Sequence, residues 1–379
     1  MFCRVFNKFA RFLLIVLSVI SLLSFEIKAN TWDKGFKEYA TLIGHKQGAL
    51  KAVFSPDSKY LSLSNKDFHV NIWDVSTGKS LAMMDGFNEW PQQVAYSPDV
   101  KLLLTTDYQK IRIWEVPSGK SYKIIEGVEA PFALSPDGKY LAGKFKPFKG
   151  AFQLKLYSFP SGELKNNIDS VHKKTIRYVK WNADGSLFAS SSDDGTLKLW
   201  DGKTGNLVKS LSAGKKVGLF KFNPDGKYIA AIVGEDPRSF LKPAEVIIWE
   251  VKTGNLIKKI EGFNNGLEAL SFSPDGKYLV TGARDTKASF WEIPSGDLAK
   301  TFEGHKYWVS HASFSPDGKY LLTGTADEFI LWDVVAGGKI KSAIAAGQGL
   351  TSAVFSPDGK VIATTSTDNT VKLWKPLGE

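Results

Sequence analysis

The chain contains almost no cysteine. Of its 379 residues only Cys3 is a cysteine, which excludes a disulfide scaffold and a zinc site built from cysteines. No Asn-x-Ser/Thr triplet, the acceptor of N-linked glycans, occurs anywhere, and this absence favours a bacterial exported protein over a eukaryotic secreted one. The composition, 43% hydrophobic and 23% charged, is that of an ordinary globular protein and names no activity.

The amino terminus has the order of a secretory signal peptide. Three basic residues precede an apolar run from Phe12 to Leu23, and a small residue, Ala29, follows. A run of this length is too short for a transmembrane helix, which needs about 20 residues. Residues 1–29 are therefore predicted to be a signal peptide, with a cysteine-free mature protein in the periplasm or outside the cell. The alternative is an uncleaved segment that anchors the protein to the membrane.

The rest of the sequence consists of one unit repeated eight times. A turn of the type Ser-Pro-Asp-Gly, in which Pro presets φ, marks each unit. A bulky residue precedes every turn, which indicates a core-facing position at the end of a strand. The eight turns are residues 55–58, 97–100, 135–138, 182–185, 223–226, 273–276, 315–318 and 356–359.

A second marker, a Trp that is followed in most units by Asp or Glu, ends a later strand. Tyr157 takes its place in the third unit, and neighbouring markers are 41 to 49 residues apart. A Gly stands five residues after each of the first seven markers and predicts a hairpin turn. The tryptophans are Trp73, Trp114, Trp200, Trp249, Trp291, Trp332 and Trp374.

A β-rich repeat of about 42 residues with a Trp-Asp pair resembles the WD-repeat β-propeller family. The resemblance covers roughly Tyr39 to Lys375 and implies that residues 30–379 form one all-β domain. The implied fold is an eight-bladed propeller of four-stranded antiparallel blades. The segment from Tyr39 to Ile43 has no unit of its own, so it is expected to supply the outer strand of the last blade and to close the ring. The eighth blade depends on the third unit being a full blade.

The resemblance also implies a structural hydrogen-bond network inside some blades, formed by a His, a turn Asp, a strand hydroxyl and the Trp. In unit seven the network is open to question, because Asp327 lies one position closer to the Trp than the family pattern requires. The residues assigned to this network are His45, Asp67 and Trp73 in unit one, His172, Asp194 and Trp200 in unit four, and His305 and Trp332 in unit seven.

Departures from the repeat are the candidates for function, because function is usually carried by loops on a propeller scaffold. Residues 143–150 and 234–243 interrupt the hairpin before the third strand and combine aromatic, proline and basic residues. By family topology both loops lie on the face opposite the Lys-rich turns, together with two loop tryptophans. The candidate partner-binding residues are Trp90, Trp308, Lys144, Phe145, Lys146, Arg238, Phe240 and Lys242.

Motifs for catalysis, metal binding or cofactor binding are lacking. His69 and His311 are isolated and have no partner at metal-ligand spacing. Gly78-Lys79-Ser80 lacks the first Gly of a phosphate loop and precedes no helix. The sequence therefore predicts a non-enzymatic, monomeric protein-binding scaffold without cofactor. The alternative is a hydrolase or lyase with its site in the central channel or on the top face.

The formal charge of +10 comes in part from a Lys that follows the first turn in seven units. These lysines form a solvated rim or a surface that attracts acidic proteins or an anionic membrane. Nucleic acid is not expected as a partner of an exported protein.

Overall fold

The structure is a computed structural model and describes residues 32–42, 49–66, 68–108, 110–145, 152–235, 243–263, 266–344 and 349–377. The regular elements of these residues are β-strands, and they form eight separate sheets of four strands each. In the same ranges no helix is long and apolar enough to cross a membrane. The predicted signal peptide lies outside the described residues.

Each sheet is a blade in which consecutive strands pair antiparallel from the inside of the ring outward. The first four blades follow the order of the chain. Their strands are β2 (Ala49–Phe54), β3 (Tyr60–Asn65), β4 (Val70–Asp74) and β5 (Ser80–Met84); β6 (Val94–Tyr96), β7 (Leu102–Asp107), β8 (Lys110–Glu115) and β9 (Ser121–Glu126); β10 (Glu129–Leu134), β11 (Tyr140–Phe145), β12 (Phe152–Ser158) and β13 (Leu164–His172); β14 (Ile176–Trp181), β15 (Leu187–Ser192), β16 (Thr196–Asp201) and β17 (Leu207–Ser212).

The remaining four blades repeat this arrangement, except that the last one takes its outer strand, β1, from the start of the chain. Their strands are β18 (Lys216–Phe222), β19 (Tyr228–Gly234), β20 (Ala244–Glu250) and β21 (Leu256–Phe263); β22 (Leu267–Phe272), β23 (Tyr278–Ala283), β24 (Ala288–Glu292) and β25 (Leu298–Phe302); β26 (His311–Phe314), β27 (Tyr320–Gly324), β28 (Glu328–Asp333) and β29 (Lys339–Ile344); β30 (Leu350–Phe355), β31 (Ile362–Ser366), β32 (Val371–Pro376) and β1 (Phe36–Leu42).

The third unit is a complete blade, which confirms the eight-bladed prediction. Tyr157 lies on the third strand of that blade, at the position that Trp holds elsewhere, and it is buried. Its hydroxyl donates a hydrogen bond to the backbone carbonyl of Glu126, which is in the preceding blade, at 3.3 Å. A tyrosine therefore fills the space between blades that an indole fills in the other units.

The Ser-Pro-Asp turns join the first two strands of most blades and are held by their own side chains. In the turn at residues 135–138, the Ser135 hydroxyl donates to a carboxylate oxygen of Asp137 at 2.6 Å and accepts the Tyr140 N–H at 2.9 Å. The fourth turn residue adopts positive φ, 63° at Ser58 and 62° at Val100. Gly is the most permissive residue for that conformation, which explains why it fills the position in the other units.

The hydrophobic core is divided among the interfaces between neighbouring blades. One cluster combines Leu61 and Trp73 of the first blade with Ala363 and Leu373 of the eighth, all almost fully buried. Each sheet is covered on its two faces by the neighbouring blades, and therefore no single blade has a complete core of its own.

The amino-terminal strand closes the ring, as predicted. β1 pairs antiparallel with β32, from Phe36 opposite Pro376 to Leu42 opposite Val371. The buried indole of Trp32 donates to the Gly359 carbonyl at 2.8 Å. The first and last segments of the ring thus share one sheet, and β1 covers the edge that β32 would otherwise leave open.

Candidate functional site

The antiparallel order of each blade divides its connections between two faces of the ring. One face carries the loops that lead into inner strands and the connections between second and third strands; we call it the loop face. The Ser-Pro-Asp turns and the Gly turns lie at the other end of the strands. Trp90 lies between β5 and β6, and Trp308 lies between β25 and β26, so both belong to the loop face. The connections from β11 to β12 and from β19 to β20 belong to it as well.

Both loop tryptophans are exposed and are held by a cation. Trp90 is 43% exposed, and the Lys66 ammonium lies 5.3 Å from its ring centroid. Trp308 is 44% exposed, with the Arg284 guanidinium 4.0 Å from its ring. Cation–π contacts orient the indoles without covering them. Trp90 lies between blades one and two and Trp308 between blades six and seven, so blades seven, eight and one separate them around the ring.

Two further exposed aromatic side chains, which were not predicted from the sequence, lie on the loop face in the two blades that flank Trp90. Phe68 joins β3 to β4 and is 47% exposed, and Tyr108 joins β7 to β8 and is 61% exposed. Both have positive φ, 64° and 55°. That conformation strains a bulky residue, and strain of this kind concentrates at functional sites. A sequence signal exists for Phe68, because unit four has Gly195 and unit eight has Asn369 at the same distance from the Trp.

A buried ion pair fixes the loop that carries Trp90. The fully buried carboxylate of Asp107 accepts the backbone N–H groups of Asn88 at 2.9 Å and Glu89 at 3.3 Å. Arg112 donates to the other oxygen of Asp107 from Nε at 2.9 Å and from Nη2 at 2.8 Å. Arg112 also donates to the Gly86 carbonyl at 2.8 Å. After Trp90, the Gln92 and Gln93 N–H groups donate to Thr106 Oγ1 at 3.1 and 3.0 Å, so the loop is tied to the second blade on both sides of Trp90.

The remaining candidate contact residues divide into two groups. Lys144 pairs with Glu129 across the third blade at 3.3 Å, and the Lys155 ammonium lies 3.8 Å from the ring centroid of Phe145. These two candidates therefore make contacts within their own blade. The others, Lys146, Arg238, Phe240 and Lys242, lie outside the described residues.

The network of unit four is a directed chain of hydrogen bonds. The Trp200 indole donates to Ser190 Oγ at 3.0 Å, and Ser190 Oγ lies 2.8 Å from His172 Nε2. His172 Nδ1 lies 3.0 Å from a carboxylate oxygen of Asp194. Because the Asp194 carboxylate can only accept, Nδ1 carries the proton that faces it, and in that tautomer Nε2 accepts from the Ser190 hydroxyl.

The charge of Asp194 is stabilised by this chain. Burial alone would raise the pKa of the carboxyl group, but hydrogen bonds from His172 and Thr196, together with the nearby imidazole and the Lys173 N–H, outweigh burial and hold the pKa well below its usual range. The corresponding residues of unit one, His45 and Asp67, lie outside the described residues, and Trp73 is buried.

In unit seven a glutamate takes the place of the turn Asp. Trp332 donates to Thr323 Oγ1 at 2.6 Å, and Thr323 Oγ1 lies 2.7 Å from His305 Nε2. His305 Nδ1 faces Glu328 Oε1 at 3.5 Å, which is too long for a good hydrogen bond. Burial, with a smaller contribution from the charge of Lys339, lowers the pKa of His305 to about 4. His305 is therefore neutral at physiological pH and belongs to the buried hydrogen-bond network of the blade.

The eight inner strands surround a channel with a cavity of about 1080 Å³. Gln93 bridges two blades in its wall, donating to the Phe132 carbonyl at 2.6 Å and accepting the Phe132 N–H at 3.1 Å. His311, isolated in the sequence, lines the same channel, and its Nε2 lies 2.8 Å from the Thr351 carbonyl. In the described part of the chain no three His, Cys, Asp or Glu side chains are grouped so that they could hold a metal ion.

Comparison with known proteins agrees with this geometry. The family model "WD domain, G-beta repeat" matches residues 36–74, 165–201, 254–292, 296–333 and 340–375. The crystal structure of the computationally designed Ika8 protein has a TM-score of 0.75 at 20% identity, covering 89% of this chain and 99% of Ika8. At that identity the likeness shows the fold alone.

Curated relatives are similar over parts of the chain. The serine-threonine kinase receptor-associated protein of Mus musculus is 30% identical over 187 residues, 47% of this chain and 51% of that protein. The nuclear distribution protein PAC1 of Arthroderma benhamiae is 25% identical over 220 residues, 50% and 48% of the two chains. Eukaryotic translation initiation factor 3 subunit I of Homo sapiens is 22% identical over 281 residues, 68% and 84%. The chain thus spans about half the length of the first of these relatives. With five matched repeats and eight four-stranded blades, the chain belongs to the WD-repeat β-propeller family.

Proposed function

We propose that this protein is a non-enzymatic binding platform whose protein partner contacts the loop face of blades one and two. The observation that carries the proposal is the trio of exposed aromatic side chains Phe68, Trp90 and Tyr108. Aromatic side chains bury a large area at little cost in conformational entropy, and they dominate binding energy in protein interfaces. The Asp107–Arg112 pair adds preorganisation, which lowers the entropy lost on binding.

The relatives support a role in protein assembly rather than in catalysis. Their names describe a receptor-associated protein, a nuclear distribution protein and a subunit of an initiation factor. Trp308 is on the same face and would extend the contact for a partner wide enough to cross blades one, eight and seven. The interrupted hairpins of blades three and five would extend it in the other direction around the ring. Charged residues around these aromatic side chains on the loop face would mainly speed the association with the partner and make it sensitive to salt.

The test begins with crosslinking in native envelope fractions, followed by binding measurements with the purified partner. Trp90→Ala is expected to weaken binding about 30-fold, corresponding to about 2 kcal/mol for a hot-spot aromatic. Tyr122→Ala is the matched control, because Tyr122 is 49% exposed but lies on the outer strand β9. The proposal is wrong if Trp90→Ala and Phe68→Ala stay folded and bind normally while charge reversal at Lys277 and Lys319, on the opposite face, abolishes binding.

We further propose that the protein is exported and loses residues 1–29. The support is the basic, apolar and small-residue order of that segment. Mass spectrometry of the protein from its native source should find an amino terminus near Asn30. An intact amino terminus in protein that only detergent extracts would instead show a membrane-anchored form.

A further inference from the structure

The outer strand of blade one, β5, is a sheet edge without charge. It is the last strand in the order of its sheet, so within the described part of the chain no strand lies beside its outer edge. Its residues, Ser80 to Met84, are all uncharged. The other outer strands each contain at least one lysine, and charged side chains, lysine above all, protect sheet edges from pairing with another chain. These lysines include Lys37, Lys123, Lys165, Lys209, Lys258, Lys300 and Lys339.

The register of the blades shows where this charge is missing from β5. Ala82 lies opposite Ile72, the residue that precedes the tryptophan of the blade. Two copies of an outer strand that paired antiparallel about this position would bring two identical side chains together on the twofold axis. In five blades the pair would be lysine against lysine, whereas in β5 it is alanine against alanine. The five lysines at the position of Ala82 are Lys123, Lys209, Lys258, Lys300 and Lys341.

Two apolar side chains of β5 are exposed on one face of the strand. Leu81 is 44% exposed and Met83 is 55% exposed. Ala82 and Met84 alternate with them and lie against Gly119, in the Gly turn of blade two. An apolar edge strand with no charge and no proline has the properties of a segment that pairs with another strand.

Antiparallel pairing of β5 with the β5 of a second copy is complementary in charge as well. With Ala82 on the twofold axis, Leu81 of each copy lies opposite Met83 of the other. The same register places Lys79 of each copy opposite Asp85 of the other, at both ends of the strand. Lys79 and Asp85 are exposed and flank β5. Within one copy they are about 20 Å apart along the extended strand, too far to pair with each other.

We propose that the protein forms a twofold-symmetric dimer through β5, in place of the monomer that the sequence predicted. The two four-stranded first blades then make one continuous sheet. Backbone hydrogen bonds and the contacts between Leu81 and Met83 hold the two copies together, and the pairs of Lys79 with Asp85 fix the register. The contact lies on the outer circumference of the ring, so it leaves the loop face open and does not depend on the partner proposed there.

Sedimentation velocity of the purified full chain over a concentration series measures dimerisation. Leu81→Lys should weaken the dimer at least about tenfold, because it removes an apolar contact and puts a charge on the edge. Lys165 holds the same register position in blade three, so the fold accepts a lysine there. Ile257→Lys is the matched control: Ile257 is 38% exposed at this position of blade five, on the opposite side of the ring, and the variant should dimerise like the wild type.

A charge exchange tests the register. Lys79→Glu and Asp85→Lys should each weaken the dimer about tenfold, because two attractive pairs across the axis become two repulsive ones. The double variant Lys79→Glu with Asp85→Lys restores opposite charges at both ends and should dimerise like the wild type. A monomer at every concentration, heterogeneous aggregates in place of a dimer, wild-type dimerisation of Leu81→Lys, or a double variant as weak as the single ones would overturn the proposal.

Discussion

Tyr39, on the strand that completes the eighth blade, donates a hydrogen bond from its hydroxyl to the backbone carbonyl of Val75 in the first blade, at 2.8 Å. Burial, with the charges of Asp74 and Asp358, raises the pKa of Tyr39 to about 12, so the hydroxyl remains a donor at any physiological pH. One residue thus links the two blades at the closure of the ring.

Loss of the closing strand should destabilise the whole ring. Deletion of residues 30–43 removes the partner of β32 and leaves a sheet edge open to aggregation. Trp32→Ala should cost about 3–5 kcal/mol of unfolding free energy, as for other buried tryptophans. Tyr39→Phe should cost only about 1 kcal/mol, because it removes one hydrogen bond.

Thermal unfolding followed by circular dichroism measures these effects. Trp90→Ala is the matched control, because it removes an exposed indole, and its melting temperature should equal that of the wild type. A deletion variant that melts as a monomer at the wild-type temperature would show that closure by β1 does not stabilise the ring.

The stability of blade seven should fall in mild acid because His305 is buried in its neutral form. Its folded-state pKa of about 4 lies below the ordinary value of 6.5, so the unfolded chain binds the proton more readily. The contribution of neutral His305 to the unfolding free energy is fully present above pH 6.5. It is lost as the pH falls towards 4, and the total loss is about 3 kcal/mol.

The pH dependence can be isolated with His305→Gln. Carboxylates also titrate in this range, but they are common to both proteins, so the difference in unfolding free energy between wild type and variant reports His305. That difference should shrink between neutral pH and pH about 4. If it has the same size at both values, His305 is not buried in its neutral form in the folded state.

The repeat itself could be predicted from the sequence because each unit carries two strong local markers. The turn at residues 135–138 and the aromatic residue Tyr157 were sufficient to count the third unit, and the structure has a full blade there. The closing strand was predictable for a related reason: matched repeats such as residues 254–292 begin with the outer strand of one blade and end with the third strand of the next.

The contacts that organise the loop face were not predictable from the repeat. Asp107 and Arg112 are five residues apart on adjacent strands, and their role depends on the loop at residues 86–93, which folds back over them. Tyr108 appears as an ordinary aromatic residue in a β-rich sequence, and Phe68 differs from one only through its alignment with Gly195 and Asn369. Their positive φ angles and exposure follow from the hairpin geometry, which the unit length does not specify.

Asp107→Asn should loosen the Trp90 loop without removing any exposed side chain. The neutral amide is a weaker acceptor for the N–H groups of Asn88 and Glu89, and it leaves Arg112 without its partner charge. Hydrogen exchange at the amides of Asn88 and Glu89 should accelerate, and partner binding should weaken even though Asp107 is fully buried. Asp193→Asn, which breaks the pair with Arg177 in blade four, is the control and should leave exchange at both amides unchanged. Unchanged exchange in Asp107→Asn would show that the ion pair does not hold this loop.

Tyr108→Asn should separate stability from binding. Tyr108 has φ 55° and is 61% exposed, so the fold gains little from its side chain. Asn tolerates the left-handed region better than other non-glycine residues, and the substitution should raise the unfolding free energy by up to about 1 kcal/mol. The same change removes an aromatic contact from the loop face and should weaken partner binding.

Thr286→Asn is the matched control, because Thr286 has φ 68° in the corresponding hairpin of blade six. This variant should gain stability without any change in affinity for the partner. If Tyr108→Asn loses stability, or gains it with full binding, the strained tyrosine is not retained for the partner, and the contact surface would have to be restricted to Phe68 and Trp90.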